Sequence, residues 1–367
     1  MEFDSTQLPR YDISKTYLWN FENAPDPVDV DVPPFPGDWT FCGLPVDSPL
    51  GMPAGPLLNG KWILYYASLG FDVLTYKTVH SRERDCYSLP NLQPVETGQL
   101  SGSESNLPSA SSLRPSWAVS FGMPSKAPDA WRADIEQTRD RLPKGKLLSV
   151  SVVASVQPDW SMDDLADDYA QCAKWAVESG ADCVETNFSC PNVSTCDGQL
   201  YQVPETAKIV AARVREAVGS VPYLVKTGHV KTEEQAEALI DAVSPFIDGL
   251  AMTNSVAATV QRDDGTLLFD GQQRGICGAA TRTTSLHQTK VFSNLIARRG
   301  LHLHLIGVGG AGSAEHVRQY LDAGAEAVHI ATAAMQNPAV ALEIKAQPLT
   351  GRASQAPRAG FEPASPE

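Results

Sequence analysis

The stretch Asn187-Phe188-Ser189-Cys190-Pro191-Asn192 sets a thiol between two asparagines, directly after the alternating run Asp182-Cys183-Val184-Glu185-Thr186. Alternation of apolar and polar residues reads as a short strand, and Pro191 forbids that strand to continue. A thiol whose surroundings lower its pKa can move a proton near neutral pH, and an asparagine offers both donor and acceptor to a planar polar substrate. The plainer alternative is a buried cysteine in a turn. Two further runs carry a lysine inside an apolar strand pattern, Lys77 in LTYKT and Lys226 in LVKTG. Lysine is rarely buried without a partner, so either two structural salt bridges or one shared anionic or electron-rich ligand is expected. A third group, Gly307-Val308-Gly309-Gly310, leaves a strand just before Ser313 opens a helix. Bare backbone N–H groups and a helix N-terminus at one point suit a phosphate.

Apolar strand-like runs occur at 50–54, 72–78, 147–154, 182–189, 223–228, 249–254, 303–308 and 327–332. Helical patterns lie between them. The clearest covers 162–179, with Ser161 as N-cap, Asp164 three residues later and Gly180 as the stop. Thr232 with Gln235 and Ser313 with Gly324 frame two more. Eight strands alternating with helices describe a (β/α)8 TIM barrel of the α/β class. A doubly wound sheet needs a glycine-rich turn after its first strand, which Met52-Pro53-Ala54-Gly55 does not supply. In a barrel the strand tips meet, bringing together Ala54, Gly55, Lys77, Thr78, Asn187–Asn192, Lys226, Asn254, Ser255, Gly309, Gly310, Ala331 and Thr332.

The domain reading has three parts: an extended proline-rich arm over 1–36, the barrel over 37–346, and a disordered tail over 347–367 with no apolar period. A short hairpin is expected after Gly37. The connections 79–128 and 255–282 leave the C-terminal ends of strands and are long enough to be lids or binding loops. With 43% hydrophobic and 20% charged residues among 367, the composition is globular. No window approaches the about 18 consecutive apolar residues of a membrane span. The first residues are too polar and acidic for a leader, so a cytoplasmic location is expected. Seven cysteines without a C-x-x-C pair suggest reduced thiols and no metal site. A net charge of −14 disfavours nucleic acid as a partner.

In order, SPLGMPAG, LTYKT, SFGMP, ETNFSCPN, LVKTG, MTNSV, RGICGAA, IGVGGAGS and HIATA resemble the dihydroorotate dehydrogenase family over about residues 40–345. The FMN barrel of that family is also built into dihydropyrimidine dehydrogenase. The resemblance implies FMN at the strand tips and hydride transfer between a substrate carbon and flavin N5. It implies Cys190 as catalytic acid/base, the residue of the cytosolic type where the membrane-associated type has serine. Lys77 falls close to flavin and substrate; Asn187, Asn192, Asn254, Ser255 and the segment Phe121-Gly122-Met123 fall on substrate positions. Lys226 falls beside the flavin pyrimidine edge. Gly278, Gly309, Gly310, Ala331 and Thr332 fall on phosphate positions, with Ala54, Gly55 and Thr78 as further flavin contacts. Two positions depart from the family: Val119 replaces a substrate-binding asparagine, and Cys277 stands where a second glycine is common.

The expected function is an FMN-dependent oxidoreductase interconverting C–C and C=C beside a carbonyl in a small cyclic amide or dihydroorotate-like substrate. Dihydroorotate dehydrogenase proper is one alternative. A non-redox phosphate-binding barrel with Lys77 or Lys226 as Schiff-base lysine is another. A tRNA dihydrouridine synthase is disfavoured by the acidic charge, and a flavin-binding protein without turnover by the retained thiol. Cys196 is a rival base on the same loop. The partners expected are a small-molecule substrate and a separate electron donor or acceptor, with a homodimer as candidate assembly and neither nucleic acid nor membrane.

Overall fold

A computed structural model of the chain describes residues 4–189 and 199–347. Eight parallel strands close a barrel in chain order: β1 (Leu50–Met52), β2 (Val73–Val79), β3 (Leu147–Val152), β4 (Cys183–Asn187), β5 (Tyr223–Lys226), β6 (Gly249–Met252), β7 (His304–Val308) and β8 (Ala327–His329). All eight fall on the runs expected from the sequence. Their near-continuous burial is what a sheet packed on both faces requires.

The helices between strands begin where their capping residues dictate. Ser161 and Asp164 form a capping box: the Asp164 N–H donates to Ser161 Oγ at 3.2 Å, and the Ser161 N–H to Asp164 Oδ2 at 2.8 Å. Helix Met162–Glu178 then buries Leu165, Tyr169, Ala173 and Ala176 on one face. It stops before Gly180, whose φ of +97° suits glycine. Thr232 and Ser313 cap the next two expected helices by accepting from the Gln235 and His316 N–H groups.

The expected hairpin pairs Trp39–Phe41 with Leu44–Val46 and plugs the lower end of the barrel. Phe41 is fully buried there against Val73, Leu147, Cys183 and Leu224, and its ring stacks on His329 at 5.9 Å. Beside this floor, Asp72 is fully buried and accepts from Ser48 Oγ, from Lys146 Nζ at 2.5 Å and from Lys345 Nζ at 2.7 Å. Lys345 ends the last described helix, Val340–Lys345, so one carboxylate ties three distant segments together.

The two long connections behave differently from simple loops. Strands Leu92–Pro94, Ser116–Val119, Arg274–Gly278, Val256–Gln261 and Asn106–Pro108 leave the barrel's C-terminal face and join, in that order, into one five-stranded sheet. Each strand is short, and the sheet pairs residues as far apart as Ser116 and Gly278, which no local pattern reveals. The arm also holds more structure than its prolines suggested: a turn of helix at Ser5–Gln7 and the helix Tyr17–Glu22, capped by Thr16. Tyr11 and Tyr17 are buried, and both meet the Phe121 ring edge-on, at 6.1 and 6.2 Å. Of the tail expected over 347–367, everything from residue 348 lies outside the described residues.

Candidate active site

Strand geometry decides which side chains can meet. Alternate residues of a barrel strand face inward, so Lys77, Asn187 and Lys226 at the tips of β2, β4 and β5 converge on one mouth. They line a cavity of about 300 Å³, together with Gly55, Thr78, Phe121, Gly122, Met123 and Asn254. Gly278, Gly309, Gly310, Ala331 and Thr332 line it as well. Ala54 and Ser255 do not line it; both are buried behind its wall. Cys190 and Asn192, and the rival Cys196, lie outside the described residues.

The two asparagines are braced through one residue. The Ser189 N–H donates to Asn187 Oδ1 at 3.1 Å, while Asn254 Nδ2 donates to the Ser189 carbonyl at 2.6 Å. Asn187 Nδ2 also reaches Met123 Sδ at 3.6 Å, and Met123 adopts a left-handed φ of +54°. Gly122 precedes it at φ +72°, and a Cβ there would stand 2.6 Å from the Tyr87 ring. The Lys77 ammonium lies 5.6 Å from the centroid of Phe121. The arm tyrosines thus press on the ring that shields this lysine.

Lys226 has a carboxylate neighbour, Glu185, at 3.9 Å with both side chains buried. Burial raises the Glu185 carboxyl above its usual range and Lys226 opposes the rise. The salt-bridge and ligand-facing expectations for this lysine are therefore not exclusive, because the same ammonium lines the cavity. Cys277 also faces the cavity, donates to the Asn254 carbonyl at 3.6 Å, and is pushed up to about 11 by burial. It is a neutral thiol at physiological pH.

Several lining residues were not anticipated. Arg282 opens the helix Arg282–Arg298, and its Nη1 lies 2.7 Å from His316 Nε2. Both residues line the cavity. A cation in a first helical turn runs against the helix dipole, and that was the signal available in the sequence. Trp117 and Leu92 line another part beside Val119, the position already marked in the sequence, all three carried by the five-stranded sheet. His329 was missed inside its strand run; it is buried at the cavity floor with neither ring nitrogen hydrogen-bonded.

Burial, with the Lys226 charge nearby, pushes His329 down to about 3. Burial, followed by Arg84 and Lys77, does the same to His80. In the unfolded chain each imidazole titrates at about 6.5. Below that pH the unfolded state takes up protons that the folded state refuses, so this contribution is complete above about 6.5 and is lost as pH falls toward 3. The slope is up to about 1.4 kcal/mol per pH unit for each histidine. Urea unfolding between pH 7 and 5 should therefore show a smaller loss of stability in His329→Gln than in the wild type. Parallel pH profiles would refute the assignment.

Comparisons with known proteins point one way. The family model described as dihydroorotate dehydrogenase matches residues 38–349. A dihydroorotate dehydrogenase of Dictyostelium discoideum is 29% identical over 358 residues, covering 91% of this chain and 96% of the relative. A quinone-type dihydroorotate dehydrogenase of Bordetella avium is 27% identical, covering 80% and 79%. The catalytic subunit of a type B, NAD(+) dihydroorotate dehydrogenase of Staphylococcus carnosus is 28% identical, covering 55% and 63%. The ligand-free crystal structure of DHODH from Eimeria tenella superposes with a TM-score of 0.70 at 16% identity, covering 90% of this chain and 91% of that one, which shows the shared fold.

Proposed function

The chain belongs to the dihydroorotate dehydrogenase family, oxidoreductases acting on CH–CH bonds, and from that premise we propose that it holds FMN in the barrel mouth and interconverts C–C and C=C beside a carbonyl. The observation that carries this reading is the convergence of Lys77, Asn187, Lys226 and Asn254 with the glycine turns at 278 and 309–310 on one cavity. These residues fit FMN: two ammonium groups suit an electron-rich ring system, and bare peptide groups beside Arg282 suit its phosphate. FMN, when bound, supplies hydride uptake or release at N5.

The chain's own residues do the rest. Cys190 exchanges the proton at the carbon next to the carbonyl. Asn187 and Asn254, pre-oriented through Ser189, hold the substrate plane, with Asn192 and the backbone of Phe121–Met123 completing its surround and Ser255 packed behind Asn254. Lys77 would hold both flavin and substrate, and Lys226 would supply a positive charge that stabilises the reduced flavin ring. Gly55, Thr78, Gly278, Gly309, Gly310, Ala331 and Thr332 take the remaining flavin contacts, with Ala54 packed behind them.

Val119 at the cavity wall supports a cyclic amide that makes no hydrogen bond at that edge. The reoxidant is a separate donor or acceptor; relatives bear both quinone and NAD(+) in their names. Anaerobic mixing of the yellow protein with dihydroorotate, dihydropyrimidines and related cyclic amides, followed by flavin bleaching, tests the reading. Val119→Asn should speed reduction by dihydroorotate about tenfold or more, because a site that offers the missing hydrogen bond discriminates strongly. A wild type already reduced fastest by dihydroorotate, with no gain in the variant, would favour dihydroorotate dehydrogenase proper. A colourless protein that takes up no FMN would instead favour the Schiff-base reading.

A further inference from the structure

We infer that Arg282, oriented by His316, makes this cavity select a flavin that carries a phosphate over the same flavin without one. The inference rests on the flavin reading above and gives Arg282 and His316 specific parts in it. Arg282 is half-buried, lines the cavity and is the first residue of a 17-residue helix. Two features are out of place for a merely structural arginine. The first helical turn contains no acidic residue, so the guanidinium meets the unfavourable end of the helix dipole without compensation. Moreover, no carboxylate among the described residues pairs with it, whereas Arg298 and Arg299 at the far end of the same helix pair with Glu233, Glu237 and Asp241.

The guanidinium instead meets an imidazole. Arg282 Nη1 donates to His316 Nε2 at 2.7 Å, which requires that nitrogen to be unprotonated. Burial and the neighbouring guanidinium hold His316 below its ordinary range, in keeping with that role. The imidazole thus fixes the guanidinium without neutralising it. A half-buried cation oriented in this way is complete only when an anion arrives.

The backbone around it is shaped for the same ligand. At Gly310, with φ +67°, a Cβ would stand 2.9 Å from Arg282 Cβ and 2.7 Å from the Gly278 carbonyl. At Gly309 a Cβ would meet Ser285 Cβ at 2.7 Å. Only glycine lets these peptide groups come so close, so the arginine stem and bare N–H donors share one corner. A phosphate monoester takes both charge and hydrogen bonds from such a corner. An uncharged ribityl hydroxyl takes neither in comparable strength.

The test compares FMN with riboflavin on the full-length protein stripped of flavin, by quenching of flavin fluorescence. In Arg282→Gln the Kd for FMN should rise about tenfold or more, while that for riboflavin changes by less than about twofold. Arg282→Lys, which keeps the charge, should retain most of the preference, and added salt should weaken FMN binding more in the wild type than in Arg282→Gln. His316→Leu should shift the FMN-to-riboflavin ratio in the same direction by less. Equal loss of both ligands in Arg282→Gln, or no loss of FMN, overturns the inference. A wild type that binds the two flavins equally overturns it while leaving the flavin reading intact; one that binds neither removes both.

Discussion

Cys190→Ala should leave a yellow protein whose flavin is reduced by substrate at least about a hundredfold more slowly, since a positioned acid/base typically contributes 10²–10⁴-fold. The residue immediately before Cys190 is held from two sides, by Asn187 Oδ1 at its N–H and by Asn254 Nδ2 at its carbonyl. Those two asparagines are also the proposed substrate ligands, so the residue that precedes Cys190 in the sequence is held by the groups proposed to orient the substrate. Stopped-flow reduction under anaerobic conditions reads the chemical step, and FMN content reads the fold of the mouth. Retained colour with a collapsed rate assigns Cys190 to proton transfer. Cys196→Ala should stay within a few-fold of wild type. An unchanged rate in Cys190→Ala, or the larger loss in Cys196→Ala, would sink the assignment.

The second large effect is on stability. Asp72→Ala should destabilise the fold by about 3–5 kcal/mol, the usual cost of stripping a buried charge of its partner. Lys345 keeps only 3% of its side chain exposed and Lys146 only 11%, and both ammonium groups end on the Asp72 carboxylate. Burial already lowers the Lys345 pKa, and Asp72 is what opposes that shift. Once the carboxylate is gone, two cations face each other beside the barrel floor. Asp72→Ala combined with Lys345→Met should recover part of the loss, because an apolar side chain needs no counter-charge. Equilibrium urea unfolding checks both variants. A cost below about 1 kcal/mol for Asp72→Ala, or no recovery in the double variant, would show that the cluster is solvated.

Much of the barrel was legible because its signals are local. A run such as Val73–Val79 is buried along its whole length, so it reads as apolar without knowledge of its neighbours. Ser161, Thr232 and Ser313 announce their helices through contacts three residues away. The five-stranded sheet has no such signal. Strand Leu92–Pro94 has three residues and pairs with Ser116–Val119, which in turn pairs with Arg274–Gly278 more than 150 residues on. Helix Tyr17–Glu22, at six residues, is too short to show a period, and the prolines around it pointed elsewhere. In the mouth, lysines within apolar runs and glycines after a strand stood out because their placement is costly without a reason. Arg282 and His316 sit in first turns of helices that otherwise look solvent-facing, so their meeting depends on how β6 and β7 deliver those helices.

Val119, Trp117 and Leu92 ride on a sheet that shares no ladder with the barrel among the described residues. The apolar wall at Val119 and most of the proposed cofactor cradle are therefore carried by different backbone, with Gly278, the last residue of strand Arg274–Gly278, as the point where the sheet reaches that cradle. Mutational drift in the 79–128 segment can retune that wall while the strand tips proposed to hold the flavin stay as they are. A lineage can in this way exchange one ring for another without reinventing its redox chemistry.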